Sequence, residues 1–446
     1  MKKQQYIVSI LFVLISFLIA SPLWSAPITV KITKWVEDSY PVAVVPFVFS
    51  GKHKPDLDVV TVINKDLLHS GKFNPYPRES YDSIPDLQVK DPASKDEINF
   101  KGWRIVGQEA LVVGSIAEMP DRSYEIRFYI YDVFKSKYLG GNTIKSTSKQ
   151  LRSSAHIMAD IIYEQLTGQK GAFSTMIAFV TKDVGRGGED EYALWLADWD
   201  GENRQQLRAS HYPYMSPAWS PDGNKLAYAS LEQSGSQRVF VEDWRKRRRT
   251  IITTTHLGLY GAPAWSPDGK YLAIAITRHG NADIYKFNID TKHSQKLTSN
   301  SAIDTEPVWS HDGKSIIFTS DRSGLPQLYS MSSNGGNVNR LTYNGTQNLK
   351  ATVSPDGKNI AMVHQVNGGY KVATMSLKTG RVTVLTDGKL DESPSYAPNG
   401  SMIIYSTSAG DAGTTLATMS EDGGFEYVFN YSGDVREPAW SPFGVK

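Results

Sequence analysis

The chain has 446 residues, with 48 basic and 46 acidic side chains and no cysteine. This length allows two or three domains. The lack of cysteine in the sequence excludes disulfides, thiolate metal sites and a lipid-modified N-terminal cysteine. The nearly balanced charge argues against a nucleic-acid-binding protein, which needs a concentrated basic face.

The N-terminus predicts an exported protein. Two lysines precede an apolar run at residues 7–20, which is short for a membrane span, and small residues follow it. We predict a signal peptide over residues 1–25, cleaved between Ser25 and Ala26. Cleavage removes the two lysines and leaves 46 basic and 46 acidic side chains. No other segment is apolar enough to span a bilayer, so we expect no transmembrane segment in the mature chain.

Residues 26–170 predict a small α/β domain that begins with an extended strand. Ile28, Val30 and Ile32 alternate with polar residues, a pattern typical of a strand. A strand in this position could pair with the sheet edge of another protein or pack on its own domain.

Two helices are predicted in the same domain. The first ends just before Gly71 and the second just before Gly168, because glycine is the usual residue past a helix end. The second helix is amphipathic. Its predicted apolar face consists of Ile157, Ile161, Ile162 and Leu166.

Residues 171–446 contain an internal repeat. A turn motif close to W-S-P-D-G recurs every 43–46 residues. A fixed period of this size is typical of a four-stranded propeller blade of the WD40-like kind. Proline presets φ in the turn, and Asp-Gly supplies a residue that tolerates positive φ. A large aromatic residue precedes five of the turns: Trp219, Trp265, Trp309, Tyr396 and Trp440.

The two ends of the repeat region complement each other. Residues 176–183 look like a second strand with no turn motif before them, whereas the last copy stops after its first strand. We predict that residues 436–442 supply the innermost strand of the first blade, which closes a ring and removes exposed sheet edges. The predicted fold is α+β, mainly β. A small N-terminal α/β domain is followed by a six-bladed β-propeller with its closing strand from the C-terminus.

The sequence lacks the common catalytic motifs G-x-S-x-G, H-E-x-x-H and G-x-x-x-x-G-K-[ST]. We predict no catalytic residues, no cofactor and no metal. Two alternatives stay open. A hydrolase or lactonase in the channel needs convergent carboxylates or histidines with a bound metal. A glycan-binding ring needs exposed aromatics at the channel mouth, where Tyr212, Tyr214 and Tyr260 are candidates.

One set of equivalent positions predicts a binding face. We call the residue just before each turn, aromatic in five of the six copies, the anchor. The residue three positions before the anchor varies among the blades. If the first strand is innermost, these residues surround one mouth of the central channel. They form either a specific binding surface or an ordinary solvated lining. The six are Ser216, Ala262, Glu306, Lys350, Ser393 and Glu437.

A basic run, W-R-K-R-R-R, occupies residues 244–249. Its place in the repeat predicts the turn between a third and a fourth strand. We interpret it as a solvated turn or, alternatively, as a contact for an anionic partner such as lipid headgroups.

The motifs together resemble a known family over nearly the whole chain. They include "PVAVVPF", "DLLHSGKFNP", "YEQLTGQKGAF", "DTEPVWSHDG", "LDESPSYAPNG" and the terminal "EPAWSP". In this order, with an α/β domain in front, they resemble the TolB family, the periplasmic propeller proteins of the Tol-Pal system. The resemblance implies a non-enzymatic periplasmic adaptor. Such proteins maintain outer-membrane integrity and support outer-membrane constriction during cell division.

The resemblance also implies two partners and their sites. The lipoprotein Pal is expected at the propeller mouth, and the C-terminal domain of TolA at the mature N-terminus, with the chain a monomer in heteromeric complexes. We hypothesise that the N-terminal strand either docks on the protein or is released to TolA, and that Pal shifts this balance. The implied Pal-binding residues are Ala262, Thr305, Glu306, Glu392 and Glu437. The implied TolA-binding residues are Ala26, Pro27, Ile28, Thr29, Val30, Lys31 and Ile32.

Overall fold

The computed structural model describes residues 30–32, 39–185, 187–231, 237–253, 258–408, 410, 413–431 and 433–445. The predicted leader, the cleavage pair Ser25 and Ala26, and the implied TolA-binding residues 26–29 lie outside them. Among the described residues, none of the helices is both long and apolar enough to cross a membrane.

The N-terminal domain is a mixed sheet with its two longest helices packed against each other. The sheet order is β4-β2-β5-β6-β7, with β3 also paired to β5. After β1 (Val30–Ile32), its strands are β2 (Tyr40–Val44), β3 (Val48–Ser50), β4 (Phe73–Pro75), β5 (Ala110–Glu118), β6 (Tyr124–Asp132) and β7 (Lys137–Ser146). The helices are α1 (Val59–His69), α2 (Arg78–Asp82), α3 (Phe100–Ile105) and α4 (Leu151–Thr167). Short 3-10 turns occupy Pro85–Leu87, Lys95–Glu97 and Ser148–Gln150.

The two long helices end where glycine predicted. Gly71 and Gly168 take left-handed backbone angles, with φ of 70° and 74°. The predicted apolar face of α4 is wrong at Ile157, which is 40% exposed. The buried face instead includes Ala155 and Ala159. Their small side chains allow close packing beside Ile161, Ile162 and Leu166, which pack in the core as predicted.

The remaining chain forms a ring of six four-stranded blades, as predicted. Blade 1 contains β8 (Met176–Val184), β9 (Asp190–Asp198), β10 (Gln205–Ser210) and the last strand, β31. Blade 2 contains β11 (Tyr214–Trp219), β12 (Lys225–Ser230), β13 (Arg238–Asp243) and β14 (Arg248–Ile251). Blade 3 contains β15 (Leu259–Trp265), β16 (Tyr271–Arg278), β17 (Asn281–Asn288) and β18 (Ser294–Lys296).

The later blades repeat this order. Blade 4 contains β19 (Asp304–Trp309), β20 (Ser315–Ser320), β21 (Gln327–Ser332) and β22 (Asn339–Arg340). Blade 5 contains β23 (Gln347–Val353), β24 (Asn359–Val366), β25 (Gly369–Ser376) and β26 (Val382–Val384). Blade 6 contains β27 (Asp391–Tyr396), β28 (Met402–Ser408), β29 (Thr414–Ser420) and β30 (Phe425–Val428). β31 (Asp434–Trp440) pairs with β8, so the C-terminal strand closes the ring as predicted.

The anchor tryptophans join neighbouring blades. The indole N–H of Trp265 donates to the carbonyl of Ala218 in the preceding blade at 3.1 Å, and Trp309 bonds Ala264 at the same distance. Trp219 donates to the carbonyl of Ala439, also at 3.1 Å, across the closure. These three tryptophans therefore bury a ring and satisfy its polar N–H at a seam between blades, whereas the Trp440 N–H donates to the Thr175 hydroxyl at 2.8 Å.

The turn motif has a repeated hydrogen-bond design. In blade 3 the Ser266 hydroxyl donates to Asp268 at 2.6 Å and accepts the backbone N–H of Tyr271 at 2.9 Å. The hydrogen bond from Ser266 lowers the pKa of Asp268. In blade 5 the same bond from Ser354 lowers the pKa of Asp356 to about 2. Serine and aspartate thus fix the turn because their side chains replace missing backbone partners.

The short N-terminal strand lies on the propeller. Strand β1 pairs antiparallel with β30, with Lys31 opposite Glu426, and becomes the fifth strand of blade 6. The sequence had left open a partner protein or its own domain. The described residues are placed on a third surface, the outer edge of a blade.

Candidate functional site

A central channel of about 630 Å³ runs between the six inner strands. We call the end that carries the S-P-D-G-type turns the turn end, and the opposite end the mouth. The six variable positions predicted from the repeat all line the channel near the mouth. They are Ser216, Ala262, Glu306, Lys350, Ser393 and Glu437.

These six residues share an unusual backbone. Each has a left-handed φ, between 46° at Ala262 and 56° at Ser393, although none is glycine. Each inner strand also shifts register there, as between Met215 and Ala218. Such a β-bulge redirects a side chain and is frequent beside functional sites. Sequence reasoning missed it, although proline follows five of the six positions and restricts their backbone.

Two implied Pal-binding residues hold the backbone of the next blade. The Glu306 carboxylate accepts the backbone N–H of Lys350 at 2.9 Å and the hydroxyl of Thr319 at 2.8 Å. The Glu437 carboxylate accepts the backbone N–H of Ser216. These glutamates therefore fix the bulges of neighbouring blades as well as charging the mouth.

An ion pair crosses the mouth. The ammonium of Lys350 in blade 5 lies 3.6 Å from the carboxylate of Glu437 in blade 1, although blade 6 separates them around the ring. Among the described residues lining the channel, the acidic side chains are these two glutamates, and the histidine is His311. Because the glutamates bind backbone amides and Lys350, they do not form the convergent set that a channel hydrolase needs.

The other implied Pal-binding residues lie beside the mouth. Ala262 lines the channel, whereas Thr305 and Glu392 are outside its lining. Thr305 pairs with Thr319 in the sheet, and the Glu392 carbonyl accepts the Ser406 hydroxyl at 3.2 Å. All three are half-buried.

Exposed apolar side chains surround the mouth. They lie where inner strands begin or in the loops at that end of the blades. Tyr343 is 73% exposed and Tyr212 is 49% exposed. Of the other aromatic candidates for glycan binding, Tyr214 is buried against Tyr228, and the side chain of Tyr260 is outside the described set. The remaining exposed members are Leu259, Ile303 and Leu325.

A buried charged cluster joins α4 and α1 to blade 1. Asp66 accepts the indole N–H of Trp199 at 3.0 Å and bonds His156 at 2.7 Å. Arg152 contacts Asp198 at 3.1 Å and also pairs with Asp200. Burial raises the pKa of Asp66 to about 6, an effect that His156 partly opposes. The sequence did not reveal this cluster because its members are far apart along the chain.

Three members of this cluster are of the residue types that ligate metals. Ligand atoms of Asp66, His156 and Asp200 lie within 4.8 Å of one another. The guanidinium of Arg152 already pairs with Asp200, and the Nδ1 atom of His156 already contacts the carboxylate of Asp66. The arrangement fits an ion-pair network that fixes the junction between the two domains.

The junction between the two domains also contacts β30, the strand with which β1 pairs. His69 at the end of α1 stacks on Tyr427 of β30, with ring centroids 3.9 Å apart. Burial lowers the pKa of His69 to about 4. Tyr427 is the register partner of Val30. One residue of β30 thus faces both the domain junction and the docked N-terminal strand.

Known proteins match both parts of the chain. The family profile described as "TolB amino-terminal domain" matches residues 28–139, and the one described as "TolB beta propeller domain" matches residues 163–444. The Tol-Pal system protein TolB of Hahella chejuensis is 48% identical over 447 residues, covering 99% of each chain. That of Nitrosococcus oceani is 45% identical over 430 residues, covering 96% of each.

A solved structure agrees with the same assignment. The crystal structure of TolB from Acinetobacter baumannii superposes with a TM-score of 0.81 at 36% identity, covering 93% of this chain and 100% of that one. The family predicted from the motif order is therefore confirmed. The chain belongs to the TolB family of Tol-Pal system proteins.

Proposed function

We propose that this protein is a non-enzymatic periplasmic adaptor that binds Pal at the propeller mouth and TolA through its mature N-terminus. In this role it maintains the outer membrane and supports its constriction during cell division. It acts as a monomer within heteromeric complexes and needs no cofactor. The mouth supports this role, because its six left-handed bulges present four types of side chain on one rigid frame.

The surface around the mouth supports a protein partner. Tyr343 and Tyr212 are exposed apolar anchors, and the Lys350–Glu437 pair lies at the centre. Protein interfaces combine aromatic anchors with a few fixed polar groups. Glu306 and Glu437 are fixed because each accepts a backbone N–H.

Calorimetric titration of residues 26–446 with the soluble domain of Pal tests the mouth. We expect Tyr343→Ser and Glu306→Lys each to weaken binding by about tenfold or more, as loss of an interface anchor does. Asp290→Lys reverses an exposed charge at the turn end and is the matched control. No heat from the wild type, or an equal loss in the control, contradicts the proposed Pal site.

The N-terminal strand supports TolA binding by strand addition. Among the described residues near the N-terminus, Val30, Lys31 and Ile32 pair with β30, which is a ladder of three residues. Strand addition uses backbone N–H and C=O groups, and the same groups cannot serve β30 and a partner sheet on the same edge. Docking on blade 6 and capture by TolA are therefore competing states.

An engineered disulfide tests this competition. The chain has no cysteine, so Lys31→Cys with Glu426→Cys introduces a single pair at opposed positions of the ladder. Opposed Cα atoms in antiparallel strands lie within reach of a disulfide. We expect the oxidised protein to lose TolA binding and the reduced protein to regain it. The two single-cysteine variants are the controls, and TolA binding by the fully oxidised protein contradicts the proposal.

Blade 6 offers a physical connection between the two sites. Its β29 residue Thr414 donates to the carbonyl of Val435 at 2.9 Å, and Ser395 accepts the N–H of Trp440 at 3.0 Å. Both bonds cross the seam to the inner strand that carries Glu437. If Pal and TolA are coupled through this seam, each must change the other's affinity by the same factor. A Pal affinity that is the same with and without saturating TolA contradicts the coupling.

A further inference from the structure

The turn between the third and fourth strands of blade 2 has a basic residue where four of the other five blades have glycine. In blades 1, 4, 5 and 6 the left-handed position of this turn is Gly201, Gly335, Gly380 and Gly423. Blade 2 has Arg247 there, with φ of 51°, and blade 3 has Lys292, with φ of 60°. An arginine in left-handed backbone is less favourable than glycine. Both blades therefore place a cation where glycine is less strained, and blade 2 differs from blade 3 in having a run of consecutive basic residues at this turn.

The same turn concentrates positive charge on a balanced chain. We call residues 244–248 the basic hairpin. Arg245, Lys246, Arg247 and Arg248 are exposed, and the nearby carboxylate of Asp243 lies 3.2 Å from Lys246. The adjacent Glu242 is buried and already bonded to Arg208 and Tyr228, and Arg249 lies over the ring of Phe240. The hairpin thus has four exposed cations, and Lys246 pairs with the nearby carboxylate of Asp243.

Contacts with neighbouring segments hold the hairpin in place and keep its charged groups apart. The Trp244 indole N–H donates to the carbonyl of Gly223 at 3.0 Å. Arg245 reaches Asn224 at 3.0 Å and also the carbonyl of Val445, whereas Arg247 reaches Leu207 on the outer strand of blade 1 at 3.3 Å. The two guanidinium groups therefore point to different neighbours and do not converge on one phosphate.

We propose that the basic hairpin binds the surface of an anionic phospholipid bilayer. A convex set of separated cations matches many headgroups better than a single anion. A sugar polymer is less suited to it, because the half-buried ring of Trp244 is covered by Arg245 at 4.4 Å and is not free for stacking. The hairpin lies at the turn end, so a bilayer and a partner at the mouth do not compete for one surface.

Flotation of residues 26–446 with phospholipid vesicles tests this proposal. Wild type should bind vesicles of mixed phosphatidylglycerol and phosphatidylcholine, and binding should fall as salt rises. The triple variant Lys246→Ser, Arg247→Gly, Arg248→Ser should partition about 100-fold less, because each basic side chain at an anionic surface contributes a factor of about 5. Glycine suits the left-handed position, so the variant is expected to fold.

A second triple variant separates the hairpin from total charge. Lys270→Ser, Lys314→Ser, Lys358→Ser removes three exposed lysines from turn motifs at the same end of the ring. It should keep partitioning within about threefold of wild type, because these cations are not part of the hairpin. An equal loss in both triples overturns the proposal.

Other probes identify a different ligand. Binding to pure phosphatidylcholine as strong as to the anionic mixture overturns the proposal. So does the absence of wild-type binding to either kind of vesicle. A soluble anionic polysaccharide that binds the hairpin while vesicles do not makes the surface a glycan site. Inorganic phosphate, at ionic strength matched with chloride, should not compete. Full competition instead indicates a free-anion site.

Discussion

The two ends of the propeller channel use the same repeat differently. At the turn end, Ser266 and Asp268 in blade 3 and Ser354 and Asp356 in blade 5 make the same hydrogen bonds. At the mouth the backbone repeats in all six blades, but the side chains do not. Repeated side chains therefore specify the ring, whereas a repeated backbone with varied side chains provides a surface for recognition.

We expect the largest effect on stability from the buried charged cluster. This cluster joins blade 1, at the turn end, to the N-terminal domain. Arg152→Met removes the guanidinium that pairs with the buried carboxylates of Asp198 and Asp200, whereas the His156 ring stays 3.5 Å from Asp198. We expect a loss of about 3–5 kcal/mol in the free energy of unfolding, measured by urea denaturation. Lys149→Met removes an exposed cation near the start of the same helix and should change it by less than about 0.5 kcal/mol. Equal stability of the two variants contradicts a structural role for the cluster.

The next effect concerns the mouth. Glu306→Ala removes the acceptor of the Thr319 hydroxyl and the nearer acceptor of the Lys350 N–H, which keeps its longer bond to Thr319 at 3.2 Å. We expect a destabilisation of about 2–3 kcal/mol together with weaker Pal binding. Glu392→Ala, beside the mouth but outside the channel lining, should cost less than about 0.5 kcal/mol. If Glu306→Ala is neutral for stability, the mouth frame does not depend on this carboxylate.

The junction should also respond to pH. Burial lowers the pKa of His69 to about 4, so its contribution to stability is complete above pH about 6.5 and is lost as pH falls towards 4. Burial raises the pKa of Asp66 to about 6, so stability from this group increases as pH falls through 6 towards 4. The two effects oppose each other between about pH 4 and 6.

Replacing either His69 or Asp66 should reveal the pH effect of the residue that remains. His69→Phe keeps a ring against Tyr427 and should make the protein more stable at pH 5, relative to pH 7, by about 2 kcal/mol compared with wild type. Asp66→Asn should shift the same difference in the opposite direction. Thermal unfolding at both pH values measures it. Parallel shifts in the two variants contradict the opposed titration.

The smallest effect addresses the left-handed frame. Ala262 has φ of 46°, so Ala262→Gly should stabilise the protein by about 1 kcal/mol through relief of strain. Ala264→Gly, two residues along the same strand and outside the left-handed set, should destabilise it by about 0.5–1 kcal/mol. Urea denaturation distinguishes the two signs. A destabilised Ala262→Gly means that the bulge is not strained.

Much of this protein is determined by local sequence. The turn motif, the strand patterns and the unmatched ends predicted six blades and the closing strand, because turn chemistry and strand alternation act over a few residues. Gly71 and Gly168 likewise marked the helix ends. The order of the family motifs was specific enough to identify the TolB family.

Only the tertiary structure decided the contacts between distant segments. The Lys350–Glu437 pair exists because closure brings blades 5 and 1 around a narrow channel. Asp66 meets Trp199 only when the two domains pack, and β1 meets β30 only when blade 6 presents its outer edge. No local pattern encodes such meetings, because they depend on where the whole ring places surfaces that are far apart in sequence.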